Sequence, residues 1–372
     1  MPAHTTTFIN SNPVFLSNMV GKKEVNSGNS SPVSEILKSP SSQKNQPLIM
    51  IKGLSKSYRK KLVLKDVNFE IYSGDIFGII GMSGSGKTTM FQLMSGIAKA
   101  QSGDVLVKSE LLIPNRKRNV PDYVSVFNNT GSVRRNFGFA SQIPSFYEHL
   151  TVEENILMYG SLYGLAKKKV KENMTRLLRL VDLSAEKDTV ASELSGGMQR
   201  RLDIACSMIH DPKVLFLDEP TSDLDPVMRK QIWSLIKEIN GKGTTIVLSS
   251  HILEEVEHLC TKVAILHDRR VLGYGTLKEL KRLFERNRQV KVELERGDYD
   301  DLVRKLKKVK GVEKVVKKDN RLVVVIPADD RVVRHVIRAV ESSKDRLVSL
   351  DVSDATLDEI FEALTRKSEK VE

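Results

Sequence analysis

The run Gly81-Met82-Ser83-Gly84-Ser85-Gly86-Lys87-Thr88, followed by Thr89, constrains this chain more than any other feature. It satisfies G-x-x-x-x-G-K-[ST] in full, between an apolar strand from Asp75 to Gly81 and a helix expected over Lys87 to Ile97. The glycines let the backbone curl so that successive N–H groups point inward. The helix N-terminus adds a partial positive charge, so the loop is a cradle for phosphate oxygens. Lys87 is placed to reach the β- and γ-phosphates, and the Thr88 hydroxyl to ligate Mg²⁺. A glycine-rich turn without a ligand has no need of a lysine and a threonine at those offsets.

Around this loop, residues 48–286 alternate strands with helices. Thr151 opens a helix with Glu154 at capping-box spacing. Val170, Met174, Leu177, Leu178 and Val181 form a helical stripe, while Val214 to Leu217 and Thr244 to Leu248 are short apolar strands. Such alternation predicts an α/β domain, a largely parallel sheet covered on both faces. Residues 287–372 predict a separate small α+β domain. Strands at Val290–Leu294, Val312–Val316, Leu322–Ile326 and Leu347–Val352 and helices at Leu302–Val309 and Val332–Val340 give the ferredoxin-like order βαββαβ. A final amphipathic helix carries Leu357, Ile360, Phe361 and Leu364 on one face. Residues 1–47, rich in Ser, Asn, Pro and Gly, read as a disordered tail.

A chain of 372 residues is too long for one core. No apolar run approaches the roughly 18 residues that span a bilayer, so any membrane part belongs to another chain. No apolar segment follows a basic start, and residues 1–47 lack Arg, against a secretory or mitochondrial leader. Cys206 and Cys260 have no metal-binding spacing and read as buried reduced thiols. Of the net charge of +12, residues 48–286 carry +8 and each end +2. That suits phosphate or anionic headgroups and argues only weakly for nucleic acid.

Two further motifs carry chemistry. Val214-Leu215-Phe216-Leu217-Asp218-Glu219 is a buried strand ending in paired acids, where Asp218 fits a Mg²⁺ ligand and Glu219 can orient or deprotonate water. Leu194-Ser195-Gly196-Gly197-Met198-Gln199 opens a helix with Leu202, Ala205 and Ile209 on its apolar face, making Ser195, Gly196 and Gly197 a second anion site.

That last segment resembles the LSGGQ signature of ABC ATPases, with Met198 before Gln199, and the likeness covers residues 48–286. It implies the P-loop ABC ATPase fold, with a mostly parallel core sheet, an antiparallel β subdomain and a helical subdomain. It implies that Tyr58 stacks on adenine and that Gln142 touches Mg²⁺ and water. Ser222 to Asp225 resembles the D-loop, with Asp225 at the nucleotide, and His251 resembles the switch histidine at the γ-phosphate. By this resemblance ATP and Mg²⁺ are the cofactors. Two copies sandwich two ATP molecules, because each carries only one copy of each half-site. The small C-terminal domain and the ending Ala355 to Thr365 are similar to stand-alone ATPases of ABC-2 type exporters, which implies a separate transmembrane permease docked near Gln142 and residues 143–155, at the cytoplasmic face of the membrane. The competing class is a soluble ABC ATPase acting on nucleic acid or ribosomes. Against it stand a single cassette, no long coiled coil and too few cysteines for an iron–sulfur member, so no specific nucleic-acid partner is expected. Residues 112–135 depart from the pattern by excess length. With Arg116, Lys117, Arg118, Arg134, Arg135, Tyr123 and Phe127 they read as a solvated hairpin extension, ahead of a basic-aromatic contact surface. The runs Lys167-Lys168-Lys169 and Arg304 to Lys310 read as solvated helix faces.

Overall fold

The computed structural model describes residues 46–113, 121–282, 287–297, 299–318, 321–327, 329–343 and 345–353. They fall into two compact units that divide between Leu277 and Lys278. The tail 1–45, Arg116 to Arg118 and the helix expected after Ala355 lie outside the described residues.

In the first unit β1 (Ile49–Tyr58) and β2 (Lys61–Ile71) pair antiparallel. Next, β3 (Ile76–Ile80) is buried at all five positions, as a strand covered on both faces must be. After the phosphate loop comes α1 (Lys87–Met94), shorter than the expected helix because Gly96 takes a left-handed φ of 72°. β4 (Ser102–Lys108) pairs antiparallel with β1, and α2 (Ser109–Leu112) follows it. β5 (Tyr123–Ser125) joins β4, completing the antiparallel order β2-β1-β4-β5. Then α3 (Thr130–Asn136) leads into β6 (Phe137–Ala140).

The region 112–135 is therefore not simply a solvated extension. Leu112, Val126 and Val133 are buried in the main core, and Phe127 packs against it. Val126 lies against Gly96 at the end of α1, so the added length buries apolar surface there. Arg134 and Arg135 do face solvent.

Helices α4 (Val152–Leu162), α5 (Lys167–Leu180) and α6 (Gly196–Met208) pack together. The capping box at Thr151 is present, with Glu154 N donating to Thr151 Oγ1 at 3.1 Å and Thr151 N donating to Glu154 Oε2 at 2.8 Å. On α5 the buried face holds Val170, Met174, Leu177 and Leu178, and Lys167 to Lys169 are exposed. Beyond them, β7 (Val214–Asp218), α7 (Pro226–Gly241), β8 (Thr245–Ser250), α8 (Leu253–Leu259), β9 (Lys262–His267) and β10 (Arg270–Thr276) follow in turn, and α9 (Leu277–Arg282) begins at the division and runs into the second unit. The second sheet has the order β10-β9-β3-β8-β7-β6, parallel except for β10. α1 packs onto it through Phe91, whose ring lies edge-on to Phe216 at 5.6 Å and Phe139 at 6.3 Å.

The second unit contains β11 (Asn287–Leu294), α10 (Asp300–Leu306), β12 (Lys314–Lys318), β13 (Arg321–Pro327), α11 (Asp330–Glu341) and β14 (Leu347–Ser353). Its sheet is fully antiparallel in the order β12-β13-β11-β14, the ferredoxin-like arrangement. Alternate residues Val290, Val292 and Leu294 meet Leu302, Leu306, Val336 and Val340 in a separate core.

Candidate functional site

Three neighbouring parallel strands, β3, β8 and β7, end together, with Ile80 opposite Ser250 and Asp218 opposite Ser249. Their continuations are the phosphate loop, His251 and Glu219. Gly84 and Gly86 adopt left-handed φ values of 79° and 106°, which curl the loop into the first turn of α1. Lys87 is buried and folds back over this loop, donating to Gly81 O at 2.9 Å and Met82 O at 3.3 Å. Ser85 Oγ is buried without a partner, while Met82, Ser83 and Thr88 are exposed and Thr89 is half-buried.

Asp218 is 2 % exposed and accepts a short hydrogen bond from Ser249 Oγ. Glu219 departs from the strand with a left-handed φ of 47°, uncommon for a residue with a side chain. Its amide donates to Ser249 O at 3.2 Å and Ser249 Oγ at 3.0 Å. Its carboxylate lies between two groups, Oε1 3.1 Å from Lys87 Nζ and Oε2 3.1 Å from His251 Nδ1. The fold thus brings Gly81 to Thr89, Asp218, Glu219 and His251 into one site.

The other expected residues stand apart from that cluster. Ser195 caps α6, accepting from Met198 N at 3.4 Å, and Ser195 and Gly196 are exposed. Gly197 is buried against α7, where a Cβ would sit 2.9 Å from Met228 Sδ. Among the described residues, no hydrogen bond or ion pair joins this segment to the phosphate loop. Asp225 caps α7, accepting from Val227 N at 2.8 Å and Met228 N at 3.0 Å. Gln142 is exposed two residues beyond β6. Tyr58 is half-exposed, with its hydroxyl donating to Gln92 Oε1 on α1 at 3.1 Å and Lys56 Nζ 5.0 Å from its ring centroid.

The sequence did not single out four buried partners of the site: Ser249, Arg200, Asp203 and Glu255. Glu255 Oε1 accepts from Thr221 Oγ1 at 2.7 Å and Trp233 Nε1 at 3.2 Å, and burial raises its pKa. Burial raises the pKa of Asp203 and lowers that of Arg200, two residues that form an ion pair. No local pattern marks these side chains, beyond the oddity of acids and an arginine within amphipathic helices. Cys206 and Cys260 are free and buried, and burial raises both thiols well above their ordinary pKa.

Comparison with known proteins agrees with this geometry. A family model described as "ABC transporter" matches residues 64–222, and one described as "ATP-binding protein DrrA1-3-like, C-terminal domain" matches residues 275–365. The Nod factor export ATP-binding protein I of Rhizobium sp. (strain N33) is 34% identical over 228 residues, 61% of this chain and 70% of that protein. The linearmycin resistance ATP-binding protein LnrL of Bacillus subtilis (strain 168) is 27% identical over 323 residues, 86% of this chain and 99% of that protein. A solved structure of the ATP-binding subunit of an ABC transporter matches with a TM-score of 0.55 and 29% identity, over 64% of this chain and 93% of that one. The phosphate loop, the two sheets around it and these relatives agree: the chain belongs to the ATP-binding proteins of the ABC transporter family, which are ATPases.

Proposed function

We propose that this chain powers an exporter, with two copies closing around two ATP molecules to drive a separate transmembrane permease. The observation that carries the ATP-driven part of this reading is the convergence of Lys87, Glu219 and His251 at the ends of β3, β7 and β8. The curled backbone and Lys87 bind the phosphates, and Tyr58 stacks on the base. Glu219 orients the attacking water and takes its proton, while Lys87 and His251 counter the charge that develops on the γ-phosphate. Thr88 and Asp218, which flank Lys87 and Glu219, offer oxygen donors that suit a hard cation keeping several waters, and the resemblance adds Gln142, which lies apart from them here. Mg²⁺ bound there would neutralise charge on the β- and γ-phosphates.

The exposed Ser195 and Gly196, at the N-terminus of a 13-residue helix, support completion of the site by a second copy. No described helix is long and apolar enough to cross a membrane. Beside exposed Gln142, Ile143 is 81 % exposed and Tyr147 49 %, an apolar surface on which a permease would seat at the cytoplasmic face. The export direction rests on the relatives named for Nod factor export and linearmycin resistance. Affinity purification of the tagged chain from salt-washed membranes tests the reading. It should recover a protein with several apolar spans of about 20 residues. Recovery on nucleic acid with no membrane protein would favour the soluble alternative.

A further inference from the structure

The guanidinium of Arg200, a residue 6 % exposed on α6, collects four backbone carbonyls. Nε donates to Pro220 O at 2.8 Å, Nη2 to Asp218 O and Glu219 O at 3.0 Å each, and Nη1 to Ser141 O at 2.6 Å. Nη1 also lies 3.3 Å from Asp203 Oδ2, whose other oxygen accepts from Ser145 N at 3.0 Å and Ser145 Oγ at 2.9 Å.

Three of those carbonyls, at Asp218, Glu219 and Pro220, are consecutive. In an extended strand successive carbonyls point to opposite sides, so one planar group cannot gather them. Convergence requires a curl, and the left-handed φ of Glu219 supplies it. The same curl turns the Glu219 amide onto Ser249 and its carboxylate between Lys87 and His251. An unfavourable backbone conformation persists only where its surroundings over-determine it. Ser249 holds the Glu219 amide and Ser222 donates to Glu219 O, while Arg200 is the one side chain that gathers the three carbonyls from Asp218 to Pro220.

We propose that Arg200 is a positioning residue for Glu219. It holds the strained turn that aims the carboxylate and, with Asp203, ties that turn to α6 and to the segment 141–145 around Gln142. Displacing 141–145 or the signature end of α6 then moves the Glu219 carboxylate. The inference rests on reading Glu219 as the water-activating group. Arginine suits the task because its fork offers five donors in one plane, against three on a lysine.

The test compares the full-length chain with Arg200→Lys, Arg200→Gln and Glu219→Gln in steady-state ATP hydrolysis, with circular dichroism to check folding. Arg200→Lys should lower kcat by about 10-fold or more with KM for ATP within about 3-fold of the parent, the signature of misplacement rather than lost binding. Arg200→Gln, which keeps two N–H donors without a buried charge, should show the same split. Unchanged kcat in a folded Arg200 variant, or a change confined to KM, overturns the proposal provided Glu219→Gln is inactive. If both Arg200 variants unfold, the residue holds the fold rather than the turn, and the proposal also fails. Normal turnover by Glu219→Gln instead overturns the reading of Glu219 itself.

Discussion

Lys87 and Glu219 form a buried ion pair, Nζ 3.1 Å from Oε1, with the two side chains 5 % and 13 % exposed. An incoming phosphate must share Lys87 with this carboxylate, and the two anions repel each other. Removing the Glu219 charge therefore has two consequences of opposite sign. Glu219→Gln should lower kcat by roughly 10²- to 10⁴-fold, the usual contribution of a general base. It should also tighten ATP binding. Single-turnover hydrolysis and equilibrium nucleotide titration would check both, and weakened ATP binding would mean that the pair helps to hold the loop.

Ser195 and Gly196 lie at an exposed helix N-terminus with no bond to the phosphate loop of their own chain. Ser195→Arg should abolish the ATP-induced dimer while leaving nucleotide binding to the monomer within about 3-fold. This follows because a bulky side chain blocks only an approach from outside. Size-exclusion chromatography of the Glu219→Gln protein, with and without this change, measures the dimer. An equal yield from both would sink the sandwich arrangement.

Gly86 precedes Lys87 with φ at 106°, and an added Cβ would sit 3.0 Å from Leu64 Cδ2. A residue with a side chain there carries about 1–3 kcal/mol of backbone strain. Gly86→Ala should weaken ATP binding about tenfold or more by uncurling the loop, with little loss of thermal stability. A fluorescent-nucleotide titration close to that of the parent would show that the loop tolerates another conformation.

His210 is stacked on Tyr163 with ring centroids 3.7 Å apart, and its Nε2 lies 3.1 Å from Phe137 O. Its Nδ1 is buried without a partner, and burial pushes the pKa down to about 4. The unfolded chain takes up a proton as pH falls through the ordinary value of 6.5, while the folded protein resists until about 4. Stability present above pH 6.5 is therefore lost across that window, by at most about 3 kcal/mol. His210→Gln, which can still donate to Phe137 O, should flatten the dependence of Tm on pH between those limits. An unchanged slope would assign the acid sensitivity to another group.

Contiguous chemistry was the legible part of this protein. The phosphate loop, Asp218-Glu219 and the Ser195 segment are runs whose neighbours in sequence are their neighbours in space. The βαββαβ order was equally legible, because the change between the two-residue period of Val290, Val292 and Leu294 and the helical spacing of Val332, Val336 and Val340 is local. The early end of α1 had a signal in Gly96, a left-handed terminator. The burial of Val126 and Val133 had none, since their partners come from distant segments.

By itself the sequence determined where a glycine-rich loop, a pair of acids at a strand end and a serine-glycine helix start would lie, because those features belong to residue types at short spacings; the roles proposed for them follow from their chemistry. Only the tertiary structure decided what holds them. Ser249 reaches Asp218 from 31 positions away, and Arg200 meets Glu219 O from 19. A bond of that kind depends on strand register and helix packing, which are set by burial over the whole unit rather than by any local run of residues.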